Sequence, residues 1–166
     1  IVAFLRETFF GTVSQLFGIE SVVGNVVDFL EKEKMVAREG DIIRITPFGK
    51  RVSDLYIDPM SASILRDAVL KIDEETEVMP ILIAAAMTPD VLGMYPKKCD
   101  EARLDAVFDE YCDRLLVDPD DIEDYMYDFF RSDLKSAVLT YDWIEEIAED
   151  TMTDNMGIGP GDIRSK

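Results

Sequence analysis

Apolar residues recur at helical spacing over the first thirty positions: Ile1, Val2, Phe4, Leu5 and Phe9 in IVAFLRETFF, then Val22, Val23, Val26, Val27 and Leu30 in ESVVGNVVDFLEKEK. Both segments read as amphipathic helices, and TVSQLF between them is short enough for a helical piece or a loop. The period then shortens to two. Met35 to Arg38 and Ile42 to Thr46 are strand-like runs around Glu39-Gly40-Asp41, which predicts a β-hairpin. Helices followed by a hairpin within about forty-five residues is the outline of a winged helix, a helix-turn-helix variant with a β wing.

From Pro47 onward the pattern is helical throughout. Asp58-Pro59, Thr88-Pro89 and Asp118-Pro119 each place a capping oxygen before a proline, whose missing N–H costs nothing in a first turn. The predicted helices are 47–56, 59–71, 77–87, 100–116, 119–139 and 141–154, with a further turn near 89–95 and another helix opening at Asp162. The expected fold is therefore mainly α, a winged helix over 1–46 followed by a multi-helix bundle over 47–166.

With 48% hydrophobic residues in 166, the chain can bury a core. Its longest apolar run, 78–87, is interrupted by Pro80 and falls well short of the ~20 residues of a membrane span, so no membrane segment is expected. The chain opens at Ile1 without a charged leader and reads as a piece of something longer with no secretion signal. Cys99 and Cys112, with no histidine anywhere, point to neither a zinc site nor a disulfide framework; they are expected as small buried hydrophobes in a reducing cytoplasm.

Charge divides the chain. Residues 1–71 carry 9 Lys/Arg against 10 Asp/Glu, and residues 72–166 carry 8 against 25, nets of −1 and −17. A surface so acidic repels a phosphate backbone, so any nucleic-acid contact must be local. The acid either solvates the surface or meets a basic partner.

No GxxxxGK[ST] loop or strand-linked GxGxxG occurs, and without histidine no catalytic or metal-binding residue is assigned. The acidic run DPDDIED, Asp118 to Asp124, has Glu123 and Phe129 where a calcium loop needs Gly and Glu, so it reads as a capped helix start. Tyr125, Tyr127, Phe129 and Phe130 form an aromatic cluster that stacks bases only beside a cationic groove, and only Arg131 and Lys135 are near. The i,i+4 pairs Tyr125–Phe129 and Met126–Phe130 favour core packing, and Trp143 beside Ile144 and Ile147 is expected as a core anchor.

FLRETFF, TPFGKRVSDLYIDPMSASIL, AAAMTPDV, DFFRSDLKSAVLTYDWIEE and GIGPGDIR occur in an order and spacing that resembles the archaeal superfamily-two DNA helicases of the Ski/Mus, HELQ-like type, across essentially the whole chain. The resemblance implies the winged helix and most of the helical ratchet domain of an ATP-dependent helicase. Such enzymes move 3′ to 5′ on single-stranded DNA at stalled or branched forks. ATP and Mg would act in RecA-like motor domains elsewhere in the parent protein, and no cofactor is expected in this piece. The ratchet helix would begin at GDIR with Asp162 as its N-cap, making Arg164 and Lys166 candidates for strand contact. The stretch TPFGKRVSDLYIDPMS would be the joint between wing and helical domain, where Lys50 and Arg51 either touch phosphate or simply face solvent. Glu20, Asp28, Glu31 and Glu33 outnumber Lys32 and Lys34 in the segment a DNA reader would dock, which favours a structural coupler. Two other readings stand beside this one: an acidic protein-interaction module that docks a basic partner, and the equivalent part of an RNA helicase.

Overall fold

The computed structural model describes residues 1–8, 18–40, 42–122, 127–159 and 161–162. Among them are eight α-helices and one two-stranded antiparallel sheet, so the chain is mainly α as its pattern predicts. It divides into two compact units, Ile1–Pro59 and Met60–Lys166.

The first unit contains α1 (Val2–Arg6) and α2 (Ile19–Lys32), joined by an ion pair between Arg6 and Glu20. The segment TVSQLF and Phe9 lie outside the described residues. On α2 only Ile19 and Val27 are buried, while Val22 and Val26 face outward. Lys34, at φ 59, turns the chain into the hairpin of β1 (Val36–Glu39) and β2 (Ile42–Ile45), with Val36 opposite Ile45 and Glu39 opposite Ile42. The carboxylates of α2 hold this hairpin: Arg38 of β1 bonds Asp28 and, at 3.1 Å, Glu31.

The strand then meets α3 (Pro47–Leu55) through Thr46, whose hydroxyl oxygen caps the helix by accepting from the Gly49 N–H at 3.0 Å. The same hydroxyl donates to the Lys34 carbonyl at 2.7 Å, and the Thr46 N–H donates to the Met35 carbonyl at 3.0 Å. A Cβ on Gly49 would lie 2.0 Å from the Met35 carbonyl oxygen, so only glycine lets α3 lie against the strand entrance. Through this contact α3 is fastened to the hairpin, inside the first compact unit.

The second unit is built from α4 (Pro59–Val69), α5 (Val78–Ala86), α6 (Glu101–Tyr111), α7 (Tyr127–Ile144) and α8 (Glu149–Met156), with 3₁₀ turns at Cys112–Arg114 and Pro119–Asp121. Pro80 sits harmlessly in the first turn of α5. That helix packs along α7, and Met79, Ile83, Leu104, Phe130, Leu134 and Val138 are buried together at their junction. Burying each such side chain contributes about 1.5–3 kcal/mol. Phe108 meets Phe130 edge to face at 5.7 Å.

Several elements depart from the pattern. Asp118 caps as predicted, accepting from Asp120 N at 2.9 Å, yet what it opens is only a 3₁₀ turn. Tyr125, Met126 and Glu123 lie outside the described residues. The break expected at 140 does not occur. Instead, α7 runs to Ile144 and closes where Glu146 adopts φ 55, with Glu146 N bonded to Trp143 O at 3.2 Å and Ile147 N to Asp142 O at 3.0 Å. This is a Schellman stop with glutamate in the place glycine usually takes. Thr88-Pro89 opens no helix, because the Thr88 hydroxyl donates backward to Ala85 at 2.8 Å and closes α5.

Trp143 is not a core anchor: it is 58% exposed, with Ile144 and Ile147 exposed beside it. The inward face of α7 is set by Phe130, Leu134, Ala137 and Val138, and helical rotation from that face carries Trp143 and Phe129 outward. Cys99 is likewise exposed and Cys112 half-buried, since the inward position of the 97–100 turn belongs to Asp100.

Replacing Gly49 with Ala is expected to lower the stability of the first unit by about 1–3 kcal/mol, through overpacking against Met35. Gly24→Ala, in the interior of α2 with nothing within 4 Å of its Cβ position, is expected to raise stability by about 0.5–1 kcal/mol. Urea denaturation followed by circular dichroism reads both.

Candidate functional site

Lys135 lies on the inward side of α7 with its side chain 1% exposed, and its ammonium is 2.6 Å from the equally buried Asp100 carboxylate. Two carbonyls complete its shell, Met156 O at 2.9 Å and Tyr95 O at 3.3 Å. Asp100 precedes α6, and its Oδ2 also accepts from the Lys97 N–H at 2.7 Å. One carboxylate therefore receives a side-chain ammonium and a backbone donor, which is what makes a buried charge tolerable.

A second pair lies alongside. Arg103 of α6 grips Asp142 of α7 with two bonds of 2.7 and 2.6 Å, and its guanidinium reaches the Met156 sulfur at 3.7 Å. The groups Asp100, Arg103, Lys135 and Asp142 thus tie α6 and α7 to the end of α8. Beyond that end, Gly159 N–H donates to Asp162 Oδ2 at 2.9 Å and Asp162 N–H donates to Gly159 O at 3.0 Å. Asp162, expected from sequence as an N-cap, lies within the helical pair 161–162 and reaches back to the Gly159 N–H.

Lys50 and Arg51 are exposed neighbours on α3; Lys50 pairs with Asp54 at 3.3 Å, and Arg51 makes no ion pair with a described residue. Arg164 and Lys166 lie outside the described residues. In the second unit each described arginine is matched to a carboxylate: Arg66 to Asp67, Arg103 to Asp142, Arg114 to Glu77 and Arg131 to Asp105. Lys71 instead donates to Leu116 O at 2.8 Å. The cations named beside the aromatic cluster, Arg131 and Lys135, are therefore both committed internally.

Lys71, Asp73, Thr76, Glu77 and Arg114 line an open cleft of about 400 Å³. Bonds from the Thr76 hydroxyl and the Glu75 N–H hold the Asp73 carboxyl below its ordinary range. The Tyr111 phenol is pushed up to about 12, first by burial and then by its 3.0 Å bond to Glu77. No three histidine, cysteine or acidic side chains converge among the described residues, and the sequence has no phosphate loop. Among the described residues no helix is long and apolar enough to cross a membrane.

The sequence profile described as archaeal helicase, domain 4 matches residues 79–166, more than half of the chain. The chain belongs to this archaeal helicase family. It is 34% identical over 168 residues to the ATP-dependent DNA helicase Hel308 of Methanocella arvoryzae and 30% identical over 165 residues to that of Pyrococcus horikoshii. Each alignment covers 98% of this chain but only 22% and 23%, respectively, of the relative's length.

Lys135→Met is expected to destabilise the second unit by about 3–5 kcal/mol, because it strands the Asp100 carboxylate away from water. The double variant with Asp100→Asn should cost less than the two single changes together, as a denaturation double-mutant cycle would read. Tyr111 supplies a pH signature. Its folded pKa of about 12 lies above the ordinary 10.0, so the stability it contributes is present below pH 10 and is lost as pH rises toward 12. Absorbance titration should show the Tyr111 phenol ionising above the ordinary tyrosine value of 10.0, and Glu77→Ala should lower its midpoint without returning it to that value, because burial remains.

Proposed function

We propose that this chain is the non-catalytic accessory region of an ATP-dependent 3′–5′ DNA helicase that acts in repair or restart of stalled forks. In this reading it braces RecA-like motor domains of the same protein and positions a ratchet helix on single-stranded or forked DNA in the cytoplasm. The observation that carries it is collinear similarity over 98% of the chain to two proteins named ATP-dependent DNA helicase. Nucleotide and magnesium belong to the motor domains, and this region contributes geometry. The winged-helix unit acts as a coupler, since Asp28 and Glu31 of α2 are paired with Arg38 of its own hairpin and Glu20 with Arg6. Arg164 and Lys166, following the turn at Gly161–Asp162, are the proposed strand contacts, with Lys50 and Arg51 as secondary ones.

The alternative, a module that docks a basic partner, is favoured by one feature: exposed Trp143, Ile144 and Ile147 lie beside Glu145 and Glu146.

The test is fluorescence anisotropy with single-stranded DNA across a salt series on the intact protein. Arg164→Glu with Lys166→Glu is expected to weaken binding about tenfold or more and to reduce the salt slope by about 1.4, two phosphate contacts at ~0.7 each. Lys98→Glu serves as the control. Unchanged affinity and slope in the double variant would remove Arg164 and Lys166 as strand contacts, and capture of a basic protein lost with Trp143→Ala would favour the alternative.

A further inference from the structure

We infer that Lys97 and Lys135 form a clamp on the C-terminal end of α8 that fixes the direction in which the chain leaves toward the turn at Gly161–Asp162. The inference rests on the helicase reading only in taking that turn as the opening of the DNA-contacting helix.

A helix leaves its last carbonyls without intrahelical partners, and cations are favoured there. Here the two carbonyls at the end of α8 receive one lysine each. Lys135 Nζ donates to Met156 O at 2.9 Å from inside the unit, and Lys97 Nζ donates to Gly157 O from the loop before α6. Both lysines are referred to the same atom, Asp100 Oδ2, which accepts from Lys135 Nζ at 2.6 Å and from the Lys97 backbone N–H at 2.7 Å. A single buried carboxylate thus registers α7, the loop before α6 and the end of α8 against one another.

The joint itself is tight. Gly157 adopts φ +57, and a Cβ there would stand 3.0 Å from Cys99 Sγ and 3.3 Å from Lys97 Cδ. Past it, Ile158 N–H bonds Thr153 O at 3.3 Å, and Gly159 and Asp162 close on each other. Glycines at 157, 159 and 161 would otherwise give this connection wide backbone freedom. Replacing the whole Lys135–Asp100 pair by packed apolar side chains, unlike Lys135→Met alone, would serve stability as well as the ion pair does. What methionine cannot do is hold the Met156 carbonyl, and that is the property the clamp requires.

The test uses the intact protein and two readouts. Lys97 is exposed, so Lys97→Ala removes one jaw without opening the core. Hydrogen exchange of the 157–162 segment is expected to rise about tenfold while α5 is unchanged. Strand separation per ATP hydrolysed should fall several-fold, about threefold or more, with Lys97→Arg restoring both because guanidinium can donate to the same carbonyl. Lys135→Met raises exchange in the same segment, and if it melts the unit the rise extends across α5 and α7, which leaves Lys97→Ala as the deciding variant. Unchanged exchange at 157–162 in Lys97→Ala overturns the clamp. Raised exchange with undiminished strand separation per ATP overturns its positioning role. A wild-type protein that separates no strands sinks the helicase reading alone, because exchange still decides the clamp.

Discussion

An ammonium shut away from water must find its whole hydration shell within the protein, and the second unit is organised around meeting that demand for Lys135. Its donors are spent on the Asp100 carboxylate and on the carbonyls of Tyr95 and Met156, which come from two separate stretches of chain, the loop before α6 and the end of α8. Hydrophobic packing of α5 on α7 supplies most of the cohesion, yet apolar contacts are tolerant of sliding. Directional bonds are not. The apolar core makes the unit compact, and the bonds of the buried charge tie α7 to the start of α6 and the end of α8.

The first unit solves a similar problem with backbone groups. The Met35 carbonyl is touched by the Thr46 N–H and closely approached by Gly49, so the end of the hairpin and the start of α3 are one piece of structure. Because Thr46 simultaneously caps α3 and bonds Lys34 O, the angle between strand and helix is set by short local bonds instead of by a large core. That suits a small unit whose β2 leaves Ile42, Ile43 and Ile45 exposed.

Helix content, the hairpin and the prolines that open α3 and α4 were legible because each depends on neighbours in sequence. The errors share a physical origin. Glu146 in a left-handed conformation stops α7, and nothing in TYDWIEEIAED marks it, since the signal for such a stop is normally glycine. Trp143 was misplaced because aromatic size says nothing about which side of α7 faces α5, whereas the spacing of Phe130, Leu134 and Val138 does. Of the site, Asp100 stood only at the start of a predicted helix and Lys135 read only as a cation near the aromatic cluster, because their pairing across 35 positions is a tertiary fact. The motif blocks conveyed kinship more reliably than any single residue conveyed chemistry.

The internal matching of arginines to carboxylates has an outcome for a passing polyanion. Once Arg66, Arg103, Arg114 and Arg131 are neutralised by partners of their own chain, the surplus carboxylates of the second unit are left facing solvent. A surface of that kind repels a polyanion over most of its area, and the repulsion fades within the screening length, about 10 Å at 0.1 M salt, so its reach is set by the salt around it.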